Sequence, residues 1–182
     1  MRLFAYALYD KAWGIVFIGR VGFLLLRGQY KAAESLCRKG IHKLPRDPVY
    51  HEWLAKTLWK ENRLDEAIQE YRVAIGLRRH AFSADRIDLV RLLLQAKRYE
   101  ETLVECKRLL DPQFHRVSGV FKALHEYTAY DSMYRVYSGL GDYQKAKEAL
   151  VQLLRFQKGR ARTQIIKKIQ EIERFQENQG QP

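Results

Sequence analysis

The sequence has 182 residues, 47% of them hydrophobic, which suffices for one ordinary domain with a substantial core and excludes a wholly disordered chain. Lysine and arginine number 33 against 21 aspartates and glutamates, so the formal net charge is +12 and the surface carries surplus positive charge. The only two cysteines, Cys37 and Cys106, exclude a disulfide framework and a cysteine-ligated zinc site, and they favour a reducing compartment.

The chain begins with an apolar extension, residues 1–13, followed by an equally apolar segment. Residues 13–26 are apolar almost all the way round a helix, so that helix must be covered on more than one side. At about 1.5 Å per residue this segment reaches about 21 Å, short of the roughly 30 Å hydrocarbon core of a bilayer. The sequence therefore predicts neither a transmembrane helix nor a secretory signal peptide here.

Two interpretations of this apolar N-terminus stay open. In the first, residues 2–11 form a small helix that covers the following helix within the same chain. In the second, large apolar side chains form a docking surface for a partner subunit or a membrane interface, because exposed apolar surface of this size usually marks an interaction site. The residues of this N-terminal docking surface are Phe4, Tyr6, Leu8, Trp13, Phe17 and Phe23.

A helical pattern then recurs four times along the chain. Each instance starts with a turn signal, as at residues 28–30 and 62–64, whose last residue is apolar or aromatic and is followed three residues later by a small one. The small residues are Ala33, Ala67, Thr102 and Ala146. Their separations are 34, 35 and 44 residues, so the period holds twice and then includes an insertion. Another helical stretch precedes each turn, which makes helix, turn, helix the repeating unit.

This pattern resembles the tetratricopeptide repeat family, whose unit of 34 residues has small residues where its two helices cross. The resemblance implies an all-α fold, a right-handed α-solenoid of antiparallel helix pairs with a C-terminal capping helix. Arg20 and Tyr134 depart from the family pattern, which has a large apolar residue at the first position and a small one at the second. Repeats are expected at residues 14–47, 48–82, 83–116 and 127–160, the capping helix at 161–177 and a tail at 178–182.

The fourth repeat and the residues after it carry two further signals. Apolar residues of the insertion match helical spacing, so we expect the first helix of this repeat to begin near Ser118 and to run to about Gly139. Isoleucines at helical spacing mark an amphipathic helix suited to capping the last repeat. A basic patch without any acid surrounds its start: Arg155, Lys158, Arg160, Arg162, Lys167 and Lys168. This patch either binds phosphate groups or is a solvated helix face.

The sequence contains no convincing catalytic or metal-binding constellation. His51 and His125 are each followed by glutamate, but neither has the second imidazole four residues on that a zinc-protease helix requires. Cys37 and Cys106 occupy the same repeat position, where a small apolar residue packs, so we expect buried structural thiols. The chain is interpreted as a non-enzyme with no cofactor and no metal.

The resemblance also implies where a partner binds, because in such solenoids the first helices line a concave groove in which ligand peptides lie. It puts three cations at the same groove position of successive repeats: Lys56, Arg91 and Arg135. They would form a basic stripe along the groove, with Trp59 beside it as an aromatic anchor. Family members that clamp a C-terminal carboxylate have asparagine where these cations stand, so an acidic or mixed acidic–apolar segment is the better ligand. The predicted groove residues are Lys56, Trp59, Lys60, Arg91, Gln95 and Arg135. Alternatively, these charges only keep exposed helix turns soluble.

The leading functional prediction is a protein–protein interaction scaffold or adaptor, cytoplasmic or peripheral to a membrane. It would hold an acidic partner segment in its groove and dock into a larger assembly through its apolar N-terminus. The alternative is an RNA-binding helical repeat that uses the basic surface. Single-strand binders interleave aromatic residues with basic ones, and Trp59 is the only strong aromatic candidate in the predicted groove. We therefore favour the scaffold.

Overall fold

The computed structural model describes residues 16–78, 84–112 and 119–179, and within these ranges all regular secondary structure is helical, as predicted. The chain divides into two compact units, residues 1–80 and 81–182. Unit 1 contains α1 (described at residues 16–26), α2 (Tyr30–Lys43), α3 (Pro48–Lys60) and α4 (Leu64–Leu77). Unit 2 contains α5 (Ala84–Gln95), α6 (Tyr99–Leu110), α7 (Gly119–Leu140), α8 (Tyr143–Leu153) and α9 (Gly159–Gln179).

Within each unit, consecutive helices pack against one another as hairpins. The long first helix expected for the fourth repeat is confirmed, since α7 runs from Gly119 to Leu140 against an expected range of about 118–139. The last helix, α9, extends from Gly159 to Gln179 and is therefore longer at both ends than the capping helix predicted for residues 161–177.

The same left-handed turn joins the two helices of each described pair. The turn residues with positive φ are Gly28 (69°), Asn62 (60°), Lys97 (57°) and Gly141 (75°). In every case the N–H of the turn residue donates to the carbonyl three residues back, and the next N–H donates to the carbonyl five residues back. This is the Schellman arrangement, which satisfies carbonyl groups left free at a helix end. The turn residues are 34, 35 and 44 positions apart, the same separations as the small residues.

The small residues, which the repeat pattern places at the helix crossings, occupy equivalent positions in the structure. Each is the fourth residue of a second helix, and all four are fully buried: Ala33, Ala67, Thr102 and Ala146. The hydroxyl of Thr102 donates to the carbonyl of Arg98 at 2.9 Å, so its polar atom is satisfied despite burial. A larger side chain at these positions would push the helices apart, because protein interiors are close-packed.

Gly40 marks a second close approach in unit 1, between α2 and the start of α3. A methyl group at Gly40 would overlap the ring of Tyr50. That ring packs edge-on against Phe17 of α1, with 4.6 Å between the ring centroids. Phe17 is only 3% exposed, so it belongs to the core of unit 1 and is not available to a docking partner, contrary to the predicted N-terminal docking surface.

Arg63 connects the first two helix pairs of unit 1 electrostatically. Its guanidinium donates to Glu34 of α2 at 2.9 Å, and also to Glu61 at 2.9 Å and Glu66 at 2.6 Å. Burial raises the pKa of Glu34, but hydrogen bonds from Arg38 and Arg63 outweigh that effect and hold this pKa below its ordinary value. The network thus favours one relative position of α2 and the turn before α4.

The left-handed turns make a prediction about Lys97. Glycine and asparagine tolerate positive φ, whereas a lysine side chain in this conformation costs roughly 1–2 kcal/mol. Glycine removes this cost, but it also increases the entropy of the unfolded chain, which offsets part of the gain. The variant Lys97→Gly should therefore be more stable by about 1 kcal/mol, measured by urea unfolding with circular dichroism.

The control is Lys107→Gly on α6, another exposed lysine of unit 2 with helical φ. It should lower the stability by up to about 1 kcal/mol, because glycine is a poor helix former. A loss of stability in both variants would contradict the assigned turn.

Candidate functional site

The predicted groove residues lie on the first helices of the helix pairs. Lys56, Trp59 and Lys60 are on α3 of unit 1, Arg91 and Gln95 on α5 of unit 2, and Arg135 on α7 of unit 2. The side chains of the three stripe cations reach solvent, with exposed fractions of 31% for Lys56, 53% for Arg91 and 61% for Arg135.

Each of these three cations is paired with a carboxylate about one turn earlier on its own helix. The separations are 2.5 Å for Lys56 and Glu52, 3.6 Å for Arg91 and Asp88, and 2.9 Å for Arg135 and Asp131. The local positive potential is therefore weaker than the number of cations suggests. Exposed ion pairs contribute little free energy, so a carboxylate of a partner can replace Asp88 beside Arg91 or Asp131 beside Arg135 at small cost, whereas the Lys56–Glu52 pair is part-buried.

Trp59 has a packing role that the sequence did not reveal. It is half-buried, and its ring lies edge-on to Tyr71 of α4, with 6.4 Å between the ring centroids. Lys56, the stripe lysine of unit 1, contacts the ring of Trp53, whose centroid lies 4.8 Å from the Lys56 ammonium. The aromatic contact of Lys56 is therefore made by Trp53, one turn before Lys56 on α3.

The N-terminal docking surface is only partly within the described residues. Phe4, Tyr6, Leu8 and Trp13 lie outside them. Of the two described members, Phe17 is in the core, whereas Phe23 is 56% exposed and has the Arg27 guanidinium 5.5 Å from its ring centroid. Val16 and Leu26 of α1 are also exposed, at 63% and 90%. In the described ranges no helix combines the length and the apolar character needed to span a bilayer.

Unit 1 also has an open cavity of about 1500 Å³ beside α1 and α2. Its lining combines apolar side chains such as Ile18 and Leu36 with cations such as Arg20 and Lys39. Arg20 and Lys39 are exposed, so this part of unit 1 presents apolar surface with positive charge at its edge.

The basic patch of unit 2 differs electrostatically from the stripe cations. Within the described part of the chain, none of its six residues has a carboxylate oxygen within 4.0 Å. Arg162 donates to the carbonyl of Leu154 at 2.7 Å, and Arg155 lies 5.8 Å from the Phe156 ring centroid. The patch is thus the larger concentration of unneutralised positive charge in unit 2.

A cleft of about 280 Å³ lies between α7 and α9, both of which pack against α8. Phe175 of α9 contacts Tyr143 of α8 edge-on at 4.9 Å between centroids, and the Lys168 ammonium lies 5.1 Å from the Tyr134 ring centroid. The lining includes Tyr134, Ser138, Tyr143, Lys168, Ile172 and Phe175. Sequence reasoning singled out only Lys168 for binding.

A signal for this cleft was present in the sequence of α7. Its four tyrosines are spaced three, four and three residues apart, which puts them on one helix face: Tyr127, Tyr130, Tyr134 and Tyr137. Tyr134 is also too large for its repeat position, but the cleft that forms beside it depends on the placement of α9, which is distant in sequence.

His51 and the two cysteines are held in the packed interior of their units. The ring nitrogens of His51 lie 2.7 Å from a Glu70 carboxylate oxygen and 3.2 Å from the Pro45 carbonyl oxygen. Cys37 and Cys106 are fully buried, as predicted, and burial raises the pKa of each thiol to about 12, so both are protonated at neutral pH. Among the described residues, no group of three or more His, Cys, Asp or Glu residues could hold a metal ion.

Comparisons with known proteins agree with this architecture. The family pattern "Tetratricopeptide repeat" matches residues 50–80 and 135–159. The solved structure of "MamA RS-1 ArsTM double mutant" is similar to this chain with a TM-score of 0.61 and 16% sequence identity, over 91% of this chain and 97% of that one. At this identity the likeness shows the fold alone. No curated protein sequence matches. The predicted all-α solenoid of helix pairs is confirmed.

Proposed function

Two segments of the chain match the tetratricopeptide-repeat family model, and we propose that the protein is a non-catalytic tetratricopeptide-repeat scaffold that binds an acidic segment of a partner protein through its first helices. Repeat solenoids of this class offer extended surfaces for protein partners. The observation that carries the proposal is the recurrence of a solvent-reaching cation at one position of three first helices, Lys56, Arg91 and Arg135.

The intrahelical ion pairs weaken the attraction of these cations for an acidic partner without abolishing it. When a partner carboxylate approaches Arg91 or Arg135, it replaces a solvent-exposed pair of low free energy. A basic segment would instead be attracted only by Glu52, Asp88 and Asp131, of which Glu52 is also bound to Arg78 at 2.5 Å. Selectivity for acidic segments then follows from the greater exposure of the cations.

The apolar N-terminus is proposed as a second contact, with a larger assembly that is itself peripheral to a membrane. The exposed side chains of Val16, Phe23 and Leu26 on α1 support this contact. So does the open cavity beside α1 and α2, which provides apolar surface next to exposed cations.

We also propose the repeat limits 14–47, 48–82, 83–116 and 127–160, with residues 161–177 as a cap. The recurrence of the left-handed turn at separations of 34, 35 and 44 residues supports these limits.

Charge reversal tests the partner proposal. The variant Lys56→Glu with Arg91→Glu places a carboxylate in each unit where the partner's carboxylates would bind, and it should reduce recovery of co-purifying partners at least tenfold. The measurement is purification of the tagged full-length chain under native conditions, followed by quantitative mass spectrometry. Far-ultraviolet circular dichroism should be unchanged, because both side chains are on the solvent face of their helices.

The matched control reverses one exposed cation on a second helix of each unit, Arg72→Glu on α4 with Lys107→Glu on α6. It carries the same change in net charge and should recover partners like the unmodified chain. Equal losses in both double variants would show a non-specific charge effect, and unchanged recovery in the first would refute binding by the first helices.

RNA binding is the second candidate function, and the basic patch favours it because its cations are not paired with carboxylates. Up to six phosphate contacts would give a slope of log affinity against log salt of at most about −4 for single-stranded RNA. Anisotropy of a labelled oligouridine at rising salt measures this slope, with Arg160→Glu and Lys167→Glu as the disabling pair. No binding at low salt would reject the candidate.

A further inference from the structure

The cleft between α7 and α9 follows from one departure from the repeat pattern. Tyr134 occupies the position that Ala55 holds on α3 and Val90 on α5, and both of those residues are fully buried. A tyrosine ring is too large for such a crossing, so it extends towards α9 and meets the Lys168 side chain. As a result α9 is held against α8, and a space remains between α9 and α7.

The last helix covers its end of the unit incompletely. None of the α9 side chains at residues 159–177 is fully buried, and Ile166 and Phe175 are 38% and 43% exposed. A capping helix with a polar outer face would leave less apolar surface in water. The apolar wall of the cleft, formed by Tyr143, Ile172 and Phe175, is therefore open to a ligand.

The size of the cleft suits one large side chain. Its volume of about 280 Å³ is at the small end of the range of about 300–1,000 Å³ that is usual for drug-sized ligands and cofactors. Three aromatic rings face the space, from Tyr134, Tyr143 and Phe175. Aromatic rings pack favourably against one another, edge to face or offset, and aromatic anchors that fill pockets dominate the energetics of protein interfaces.

The charges around the cleft determine which ligand residues are favoured next to the aromatic side chain that fills it. Towards the start of α9, from Arg160 to Lys168, there is no acid, and this stretch is about 12 Å long at 1.5 Å per residue. Towards its end, Glu171 lines the cleft and Glu173 pairs with Lys147. Acidic residues of a ligand are therefore favoured on one side of the anchor only, and an extended chain covers that distance in about four residues.

We propose that the α7–α9 cleft binds one aromatic side chain of a partner segment that has acidic residues within about four positions on one side of it. The aromatic ring contacts Tyr134, Tyr143 and Phe175, and the carboxylates contact Lys168 and the cations before it. This site rests on the proposed scaffold function, for which it specifies a second place of contact and the chemistry of the segment bound there.

Two fluorescein-labelled peptides test the site. Each has one phenylalanine with glutamates on one side, before it in the first peptide and after it in the second, and glycine and serine elsewhere. Anisotropy with the full-length chain should show binding of at least one peptide with a Kd below about 1 mM. Replacing its phenylalanine by alanine, or its glutamates by lysines, should weaken binding at least tenfold.

Variants of the chain locate the binding. Tyr134→Ala restores a small residue at the repeat position, so it should keep the fold while weakening peptide binding at least tenfold, as should Lys168→Glu. The matched control Lys107→Glu, on α6 outside the cleft, makes the same charge change in the same unit and should bind normally. Absence of binding to either peptide, or binding that survives both cleft variants, would overturn the proposal.

The outcomes also separate this site from the wider function. Partners that co-purify with the unmodified chain and are retained by Tyr134→Ala would refute the cleft and leave the scaffold function standing. Labelled oligouridine that competes with the peptide for the unmodified chain, but not for Arg160→Glu with Lys167→Glu, would assign this surface to RNA and refute the peptide site.

Discussion

The close approach of paired helices at a small side chain is the constraint on which the rest of this structure depends. Ala33, Ala67, Thr102 and Ala146 are fully buried, and a left-handed turn lies five residues before each of them. The turn fixes where the second helix starts, and the small residue fixes how near it lies to the first. Both recur with the same separations, and Lys56, Arg91 and Arg135 each lie six residues before such a turn, so these cations occupy equivalent positions in their helix pairs.

The proposed binding cleft of unit 2 lies where this constraint is relaxed. Tyr134 replaces a small residue, and beside it lies the aromatic cleft of unit 2. The cations show a similar division, since Lys56, Arg91 and Arg135 are paired with nearby carboxylates, whereas the basic patch around the start of α9 has no such pair with any residue that the structure describes. An acidic partner would gain more binding free energy at the basic patch than at the stripe cations, because no existing ion pair has to be broken there.

The sequence predicted the features that depend on local spacing. The helical repeats, the early start of α7 and the burial of Cys37 and Cys106 all follow from periodicity and small-residue positions, and the structure confirms them. The pairing of Lys56 with Glu52 was also readable from their four-residue spacing. The sequence did not predict that Phe17 is buried while Phe23 is exposed, because the sequence of a helix that is apolar all round does not indicate which face is covered. The cleft could not be predicted from local spacing either, because it depends on the distance between α7 and α9, which are not consecutive in the chain.

The stability of the variant Ala67→Leu tests the helix-crossing constraint most directly. Leucine at this fully buried crossing should cost about 1–3 kcal/mol in urea unfolding, because the paired helices must separate to admit it. The same substitution at the exposed Ala32 of α2 should change the stability by no more than about 0.5 kcal/mol. If Ala67→Leu is as stable as Ala32→Leu, the helices do not approach closely at Ala67, and the register derived from the small residues is wrong.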